Sequence, residues 1–216
     1  MAAADVAALR AVQPAGPYTL WGYSFGARVA FEAAWLLERA GEEVDHLLLI
    51  APGSPRLPQA AAPGPTVTAA PGEGGDPVAD FTDRTFRAIL YSVFAAGADG
   101  PLLAECLRQA TDEESFADFV VRRLRRLDPG TVRRVIRLVR RTYGWLPADR
   151  RVTAPVTVLT ARGDEESHLE RLLARTGAPA TLARLDTDHY GALRDPGVDE
   201  LSKTIRRESR RLPCRT

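Results

Sequence analysis

The stretch that decides the fold runs Gly16-Pro17-Tyr18-Thr19-Leu20-Trp21-Gly22-Tyr23-Ser24-Phe25-Gly26-Ala27-Arg28-Val29. Tyr18 to Trp21 is a short apolar strand candidate, and Gly22 to Gly26 fits the pattern G-x-S-x-G. Arg28 to Ala40 then reads as a helix, with Val29, Ala33, Leu36 and Leu37 on one face and Gly41 where a terminating glycine belongs. Val44 to Ile50 contains Leu47-Leu48-Leu49-Ile50, the unbroken apolar run of a strand buried on both faces. Strand, helix, strand at this spacing is a βαβ unit and predicts a parallel sheet.

Placed between that strand and that helix, Ser24 sits on a sharp turn that strains its backbone and points its hydroxyl out of the sheet. Gly22 and Gly26 leave room where strand and helix almost touch. The helix that starts near Ala27 aims its N–H groups and positive dipole end at the serine, and the Phe25 N–H is the expected oxyanion donor. The competing reading is a glycine-rich turn with an incidental serine.

Outward from the motif, Ala3 to Ala11 reads as a short helix ended by Pro14 and Gly16. Pro52 to Pro77 is a Pro-, Gly- and Ala-loaded connection on which the sequence imposes no structure. From Asp80 to Trp145 the pattern is purely helical, through Phe81 to Phe94, Pro101 to Ala110, Glu113 to Leu127 and Thr131 to Tyr143. From Pro155 the alternation returns: Val156 to Thr160 as strand, Glu166 to Thr176 as helix, Ala180 to Leu185 as strand, Val198 to Leu212 as helix. The expected organisation is a single domain over 1–216, with a core at 1–52 and 151–216, a linker at 53–79 and a helical lid at 80–150.

A serine nucleophile needs a base, and the histidines are His46, His168 and His189. His46 starts a buried strand and reads as structural, whereas His168, one turn after Asp164, reads as a surface residue. His189 follows the last strand in Asp188-His189-Tyr190-Gly191 and is the expected base. The orienting acid has three candidate places. Ala51 and Pro52, after the strand ending at Ile50, cannot accept a proton. Asp186 and Asp188 lie so close to His189 that a local turn role fits them better. Asp164 ends a strand one αβ unit before the histidine and is chosen. The order Ser24, Asp164, His189 is that of α/β-hydrolases; Asp164 would fix the tautomer of His189, which takes the Ser24 proton.

Composition is compatible with this reading. Hydrophobic residues make up 45% of 216 and charged residues 26%, as in an ordinary globular chain. A net charge of +1 excludes a strong field for nucleic acid or membrane. Cys106 and Cys214 form no metal or redox motif and suit a reducing, cytoplasmic setting. Met1 to Val12 is too short and too charged for a signal segment or a membrane span.

Gly16 to Gly26, continued through Ala27-Arg28-Val29-Ala30-Phe31-Glu32, resembles thioesterase domains of non-ribosomal peptide and polyketide synthetases. The Asp188-His189-Tyr190 loop and the helical insertion before the Asp164 strand are similar to that family too. Leu49-Ile50-Ala51-Pro52-Gly53-Ser54-Pro55 resembles, more faintly, the terminal thioesterase of indigoidine-type synthetases. The resemblance implies an α/β-hydrolase with a mostly parallel sheet and a helical lid. It implies that a carrier protein delivers an acyl or peptidyl thioester on its phosphopantetheine arm, with no metal and no cofactor bound by the chain itself. Ser24 would take the acyl group, and water or a nucleophile within the chain would release it. Nucleic acid and membrane are not expected partners.

Two departures from the family stand out. Many members carry the acid directly after the strand that follows the nucleophile helix, where Ala51 stands here; others carry it at the position of Asp164. Only 23 residues precede Ser24, so the N-terminal strands of the fold, and the loop that gives the second oxyanion N–H, are expected to be missing. One such donor is worth about 2.7–4 kcal/mol. The alternative function is therefore a non-catalytic carrier-binding or scaffolding remnant, and a plain esterase is a third class. On the lid, Arg122-Arg123-Leu124-Arg125-Arg126 and the arginines from Arg133 to Arg141 read either as a docking face for an acidic carrier or, more plainly, as a solvated helix face with Val132, Val135, Ile136 and Val139 turned inward. Phe86, Tyr91, Phe94, Tyr143 and Trp145 are candidates to line an acyl pocket, with helix core as their default role.

Overall fold

A computed structural model describes residues 2–55, 80–95, 100–124, 127–142, 150–165, 169, 172–178 and 180–209. The chain divides into two compact units, Met1–Arg56 with Leu146–Thr216, and Leu57–Trp145.

The first unit is built on a four-stranded sheet. Its strands are β1 (Tyr18–Tyr23), β2 (Val44–Ile50), β4 (Val156–Arg162) and β6 (Thr181–Asp188), in the order β1-β2-β4-β6. Every pair is parallel, with Gly22 opposite Leu49, Leu49 opposite Val158 and Val158 opposite Leu182. The helix α2 (Phe25–Arg39) packs on one face, backed by α1 (Ala2–Val12), and α7 (Gly197–Ser209) lies on the other. Parallel strands buried on both faces read as continuous apolar runs, and β2 does so. Leu47 and Leu49 meet Phe31, Ala34 and Leu37 of α2, while Leu48 and Ile50 join Leu159, Leu185 and Leu201. Truncating a fully buried residue such as Phe31 costs about 3–5 kcal/mol in such a core.

α2 ends as its sequence predicts. Gly41 takes φ 79°, its N–H donates to the Glu38 carbonyl, and the Glu42 N–H donates to that of Leu37. That is a Schellman cap, which a residue with a β-carbon enters only with strain. The Glu38 carboxylate accepts the N–H groups of Thr153 and Ala154, tying the end of α2 to the chain entering β4. At the sheet's β1 edge no described element covers the face opposite α2, and Trp21 is 58% exposed there.

Elements are longer than the pattern indicated. β1 reaches Tyr23, β4 reaches Arg162 and β6 reaches Asp188, because parallel pairing with a neighbour carries a strand past the end of its apolar run. Helix α2 begins at Phe25, directly after the serine. Ser54–Pro55, which the sequence left without structure, forms a short strand β3 antiparallel to β5 (Asp164–Glu165). The rest of the expected linker lies outside the described residues, as do five of the eleven residues of the helix expected from Glu166 to Thr176; Leu169, Leu172 and Leu173 are helical, and Thr176 has already left the helix.

The second unit is helical, with α3 (Arg84–Ala95), α4 (Gly100–Gln109), α5 (Glu113–Phe119) and α6 (Pro129–Thr142). Phe86, Leu90, Cys106, Phe116, Val120, Val132 and Ile136 are fully buried among them. Asp112 opens α5 with a capping box, its carboxylate accepting the Ser115 N–H at 2.8 Å. The single helix expected from Glu113 to Leu127 changes at Phe119 into a π-turn, Val120–Leu124. That wider turn keeps Val120 in the core while Arg123 pairs with Glu105 at 2.7 Å. Phe86, Tyr91 and Phe94 take their default role in this core, and Tyr143 and Trp145 lie outside the described residues. Along α6, Val132 and Ile136 are buried while Arg133, Arg134, Arg137 and Arg141 face solvent. Burial pushes the Cys106 thiol up to about 12, so it stays protonated and inert.

Candidate active site

Ser24 is the one residue between β1 and α2, and its backbone sits at φ 54°, ψ −122°. This is a region that residues with a β-carbon enter only when their surroundings enforce it. Two constraints do so here. The Ser24 N–H donates to the Ile50 carbonyl at 2.8 Å, locking the turn to the neighbouring strand. Strand and helix also touch at Gly22, where a β-carbon would fall 2.3 Å from the Gly26 carbonyl oxygen and 2.6 Å from the Ala27 Cα. A β-carbon on Gly26 itself would meet nothing within 4 Å. The sequence reading gave both glycines the same purpose; only Gly22 serves it through its missing side chain, and Gly26 contributes backbone.

A serine before the first residue of a helix ordinarily accepts one of the first-turn N–H groups. Ser24 makes no such bond. Its Oγ lies instead 2.8 Å from Nε2 of His189. The other ring nitrogen, Nδ1, lies 2.9 Å from Oδ2 of Asp164, and both of these side chains are 4% exposed. A carboxylate only accepts, so Nδ1 carries the proton and Nε2 is left to accept the serine hydroxyl. Ser24, Asp164 and His189, chosen from sequence, are thus brought together in one continuous chain of hydrogen bonds.

Each is held by local structure. Gly163, at φ 81°, turns the chain out of β4 so that Asp164 can enter β5, whose pairing with β3 anchors the acid. The His189 loop is tightly closed, since a β-carbon on Gly191 would fall 2.4 Å from the Thr187 Oγ1, and one on Gly197 2.2 Å from the Gly191 carbonyl oxygen. Asp188 accepts the Gly191 N–H at 2.7 Å, the local turn role expected of it. Asp186 points outward and pairs with Arg162 at 3.0 Å. Ala51, at φ 46°, is buried at the end of β2 and offers no acid. His46 is buried with Nε2 2.9 Å from the Thr157 Oγ1, the structural histidine of the sequence reading. His168 lies outside the described residues.

Phe25 is the first residue of α2, so its N–H belongs to the turn where the helix dipole is positive. No contact among the described residues marks a second oxyanion donor. Beside Asp164, an open cleft of about 590 Å³ is lined by Arg162, Arg184, Asp186 and Glu200 among others; so charged a lining does not suit an acyl chain. Among the described residues no cluster of His, Cys, Asp or Glu could hold a metal ion, and no helix is long and apolar enough to cross a membrane. Sequence reasoning missed Tyr23, whose hydroxyl bonds to the His189 backbone. It also missed the β3–β5 ladder, because two-residue strands leave no periodicity to find.

Comparison with known proteins bears on the family and the fold. The chain is 46% identical over 211 residues to an indigoidine synthase of Streptomyces lavendulae, and 43% identical over 210 residues to one of Dickeya dadantii (strain 3937). These matches take in 95% of the chain but only 16% and 13% of the two synthases. Among solved structures, the thioesterase domain SrfTE, described for cyclization of the lipopeptide antibiotic surfactin, aligns with a TM-score of 0.55 at 16% identity, over 96% of this chain and 74% of that one. RedJ, the thioesterase of the prodiginine biosynthetic pathway in Streptomyces coelicolor, aligns with a TM-score of 0.55 at 24% identity, over 96% and 66%. These neighbours share the α/β-hydrolase fold. The family model for the thioesterase domain matches residues 1–208, and the chain belongs to that family.

Proposed function

We propose that the chain is a serine thioesterase acting on an acyl or peptidyl group held as a thioester on the phosphopantetheine arm of a carrier protein. The observation that carries the reading is the unbroken Asp164–His189–Ser24 relay on a strained strand-to-helix turn. Family membership and the similarity to synthases that assemble secondary metabolites support the choice of a thioester substrate.

In this reading Nε2 of His189 takes the Ser24 proton as Oγ attacks the thioester carbonyl. The imidazolium that forms is steadied by Asp164, and the Phe25 N–H faces the developing oxyanion. Collapse breaks the C–S bond and the imidazolium proton goes to the departing thiolate of the arm. The resulting ester on Ser24 is then opened by water, giving an acid, or by a nucleophile of the substrate itself, giving a ring. His189 serves again as base and then returns its proton to Ser24. No metal and no cofactor of the chain's own enters these steps.

The test is intact-protein mass spectrometry after a fluorophosphonate, on wild type and Ser24→Ala. One adduct, lost in the variant, is expected. No adduct on the wild type would overturn the catalytic reading and favour a carrier-binding domain that keeps the turn without the chemistry.

A further inference from the structure

Tyr23 is the last residue of β1 and the neighbour of Ser24 in the chain, yet its side chain works on another element. Its hydroxyl donates to the backbone carbonyl of His189 at 2.5 Å, 166 residues away in sequence. Its ring lies 5.4 Å from the imidazole, centroid to centroid, at 43°. The ring of Tyr190 meets the same imidazole at 5.2 Å, edge to face. His189 is therefore gripped through its backbone and its ring by a residue that is rigidly continuous with the nucleophile turn.

This matters because the geometry to be kept is a short one. The Nε2–Oγ distance depends on two loops, one after β1 and one after β6, whose parent strands are the two edges of the sheet. Between them lie β2 and β4, so strand pairing alone transmits the register across three ladders. The Tyr23 hydroxyl spans that gap in one bond. We propose that Tyr23 is a positioning residue for the reaction, fixing the His189 loop against the Ser24 turn so that the imidazole reaches Oγ without reorganisation. The proposal rests on the reading of Ser24, Asp164 and His189 as a hydrolytic triad. Burial, and after it the neighbouring Tyr190, Asp164 and Asp188, pushes the phenol up to about 12, so the hydroxyl stays protonated and remains a donor at neutral pH.

The experiment compares Tyr23→Phe with Tyr18→Phe. Tyr18 stands on the same strand, and the single proton of its hydroxyl is shared between the Gln13 carbonyl and the Glu42 carboxylate, remote from the triad. It thus controls for the loss of a phenol bond as such. Misplacing a catalytic group by even a fraction of an ångström is costly, so Tyr23→Phe is expected to lower kcat on a small acyl thioester by about tenfold or more with KM nearly unchanged. Tyr18→Phe is expected to leave both constants as in wild type. A second readout does not depend on turnover: the low-field proton resonance of the Asp164–His189 hydrogen bond, assigned by its absence in His189→Gln. It should broaden or vanish in Tyr23→Phe and persist in Tyr18→Phe. Wild-type kcat with a sharp resonance in Tyr23→Phe overturns the proposal, and so does a Tyr23→Phe protein that fails to fold, since the hydroxyl would then be a structural group. Absence of turnover in the wild type would count against the thioesterase reading alone, because the resonance still reports on the grip.

Discussion

Asp164 and His189 meet at 2.9 Å because β4 and β6 are neighbours in register, with Arg162 opposite Asp188, so that the residues just beyond both strands emerge side by side. Ser24 leaves the same end of the sheet, beyond Tyr23, which stands opposite Ile50. All three groups therefore follow the C-terminal ends of parallel strands, where an open α/β sheet gathers its loops.

That placement separates the two nearby acids. Asp164→Asn leaves the shape intact but favours the wrong imidazole tautomer, and a fall in kcat of about 10⁴-fold is expected. Asp188→Asn keeps an oxygen that can accept the Gly191 N–H, so its kcat should stay within about tenfold of wild type on the scale of a single neutral hydrogen bond. Steady-state kinetics on one acyl thioester ranks them, and the reverse order would reassign the acid.

The two glycines that flank the Ser24 turn should behave differently. Gly22→Ala forces a β-carbon into the backbone of Gly26 and Ala27, and a loss of several kcal/mol or failure to fold is expected from overpacking against backbone. Gly26→Ala should fold, since its β-carbon meets open space. Urea denaturation of both variants checks this, and equal losses would refute it.

His46 supplies a pH dependence of stability. Burial holds its pKa below the ordinary value, so the unfolded chain takes up a proton at a pH where the folded chain does not. The stability of the neutral folded form is then fully present above the unfolded value of about 6.5 and falls as pH drops below it, down to the folded pKa. Urea midpoints measured from pH 7.5 downward should show this decline, and His46→Gln should flatten it.

Cys106 should be silent toward thiol reagents in the folded protein, because it is fully buried and protonated. Peptide mapping after maleimide treatment should find Cys106 unmodified in native protein and modified in urea.

The parts of this molecule that a reader of the sequence could find are those with a period or a chemical monopoly. Leu47 to Ile50 announces a two-faced strand, the spacing of Val29, Ala33, Leu36 and Leu37 a helix, and the loop after the last strand singles out His189. The face that helix buries is nevertheless centred on Ala27, Ala30, Phe31, Ala34 and Leu37, with Val29 and Leu36 only half-buried. Asp164 emerged by exclusion, since Ala51 has no acid to offer. What stayed hidden depends on contacts between distant residues. The Tyr23 grip on His189 spans 166 positions, β3 exists only because β5 lies beside it, and the different burdens of Gly22 and Gly26 depend on which backbone each one faces.

The open flank of β1 carries a consequence for handling the protein. Tyr18 to Tyr23 contains no charge and no proline, the two devices by which edge strands usually avoid joining one another. Among the described residues nothing pairs with the outer edge of β1, so with an indole left in solvent beside it this strand is expected to act as an adhesive seam, and colloidal stability to limit concentrated stocks of the chain. A single lysine in place of Trp21 would act as a gatekeeper there, raising solubility while leaving the buried face of the strand as it is.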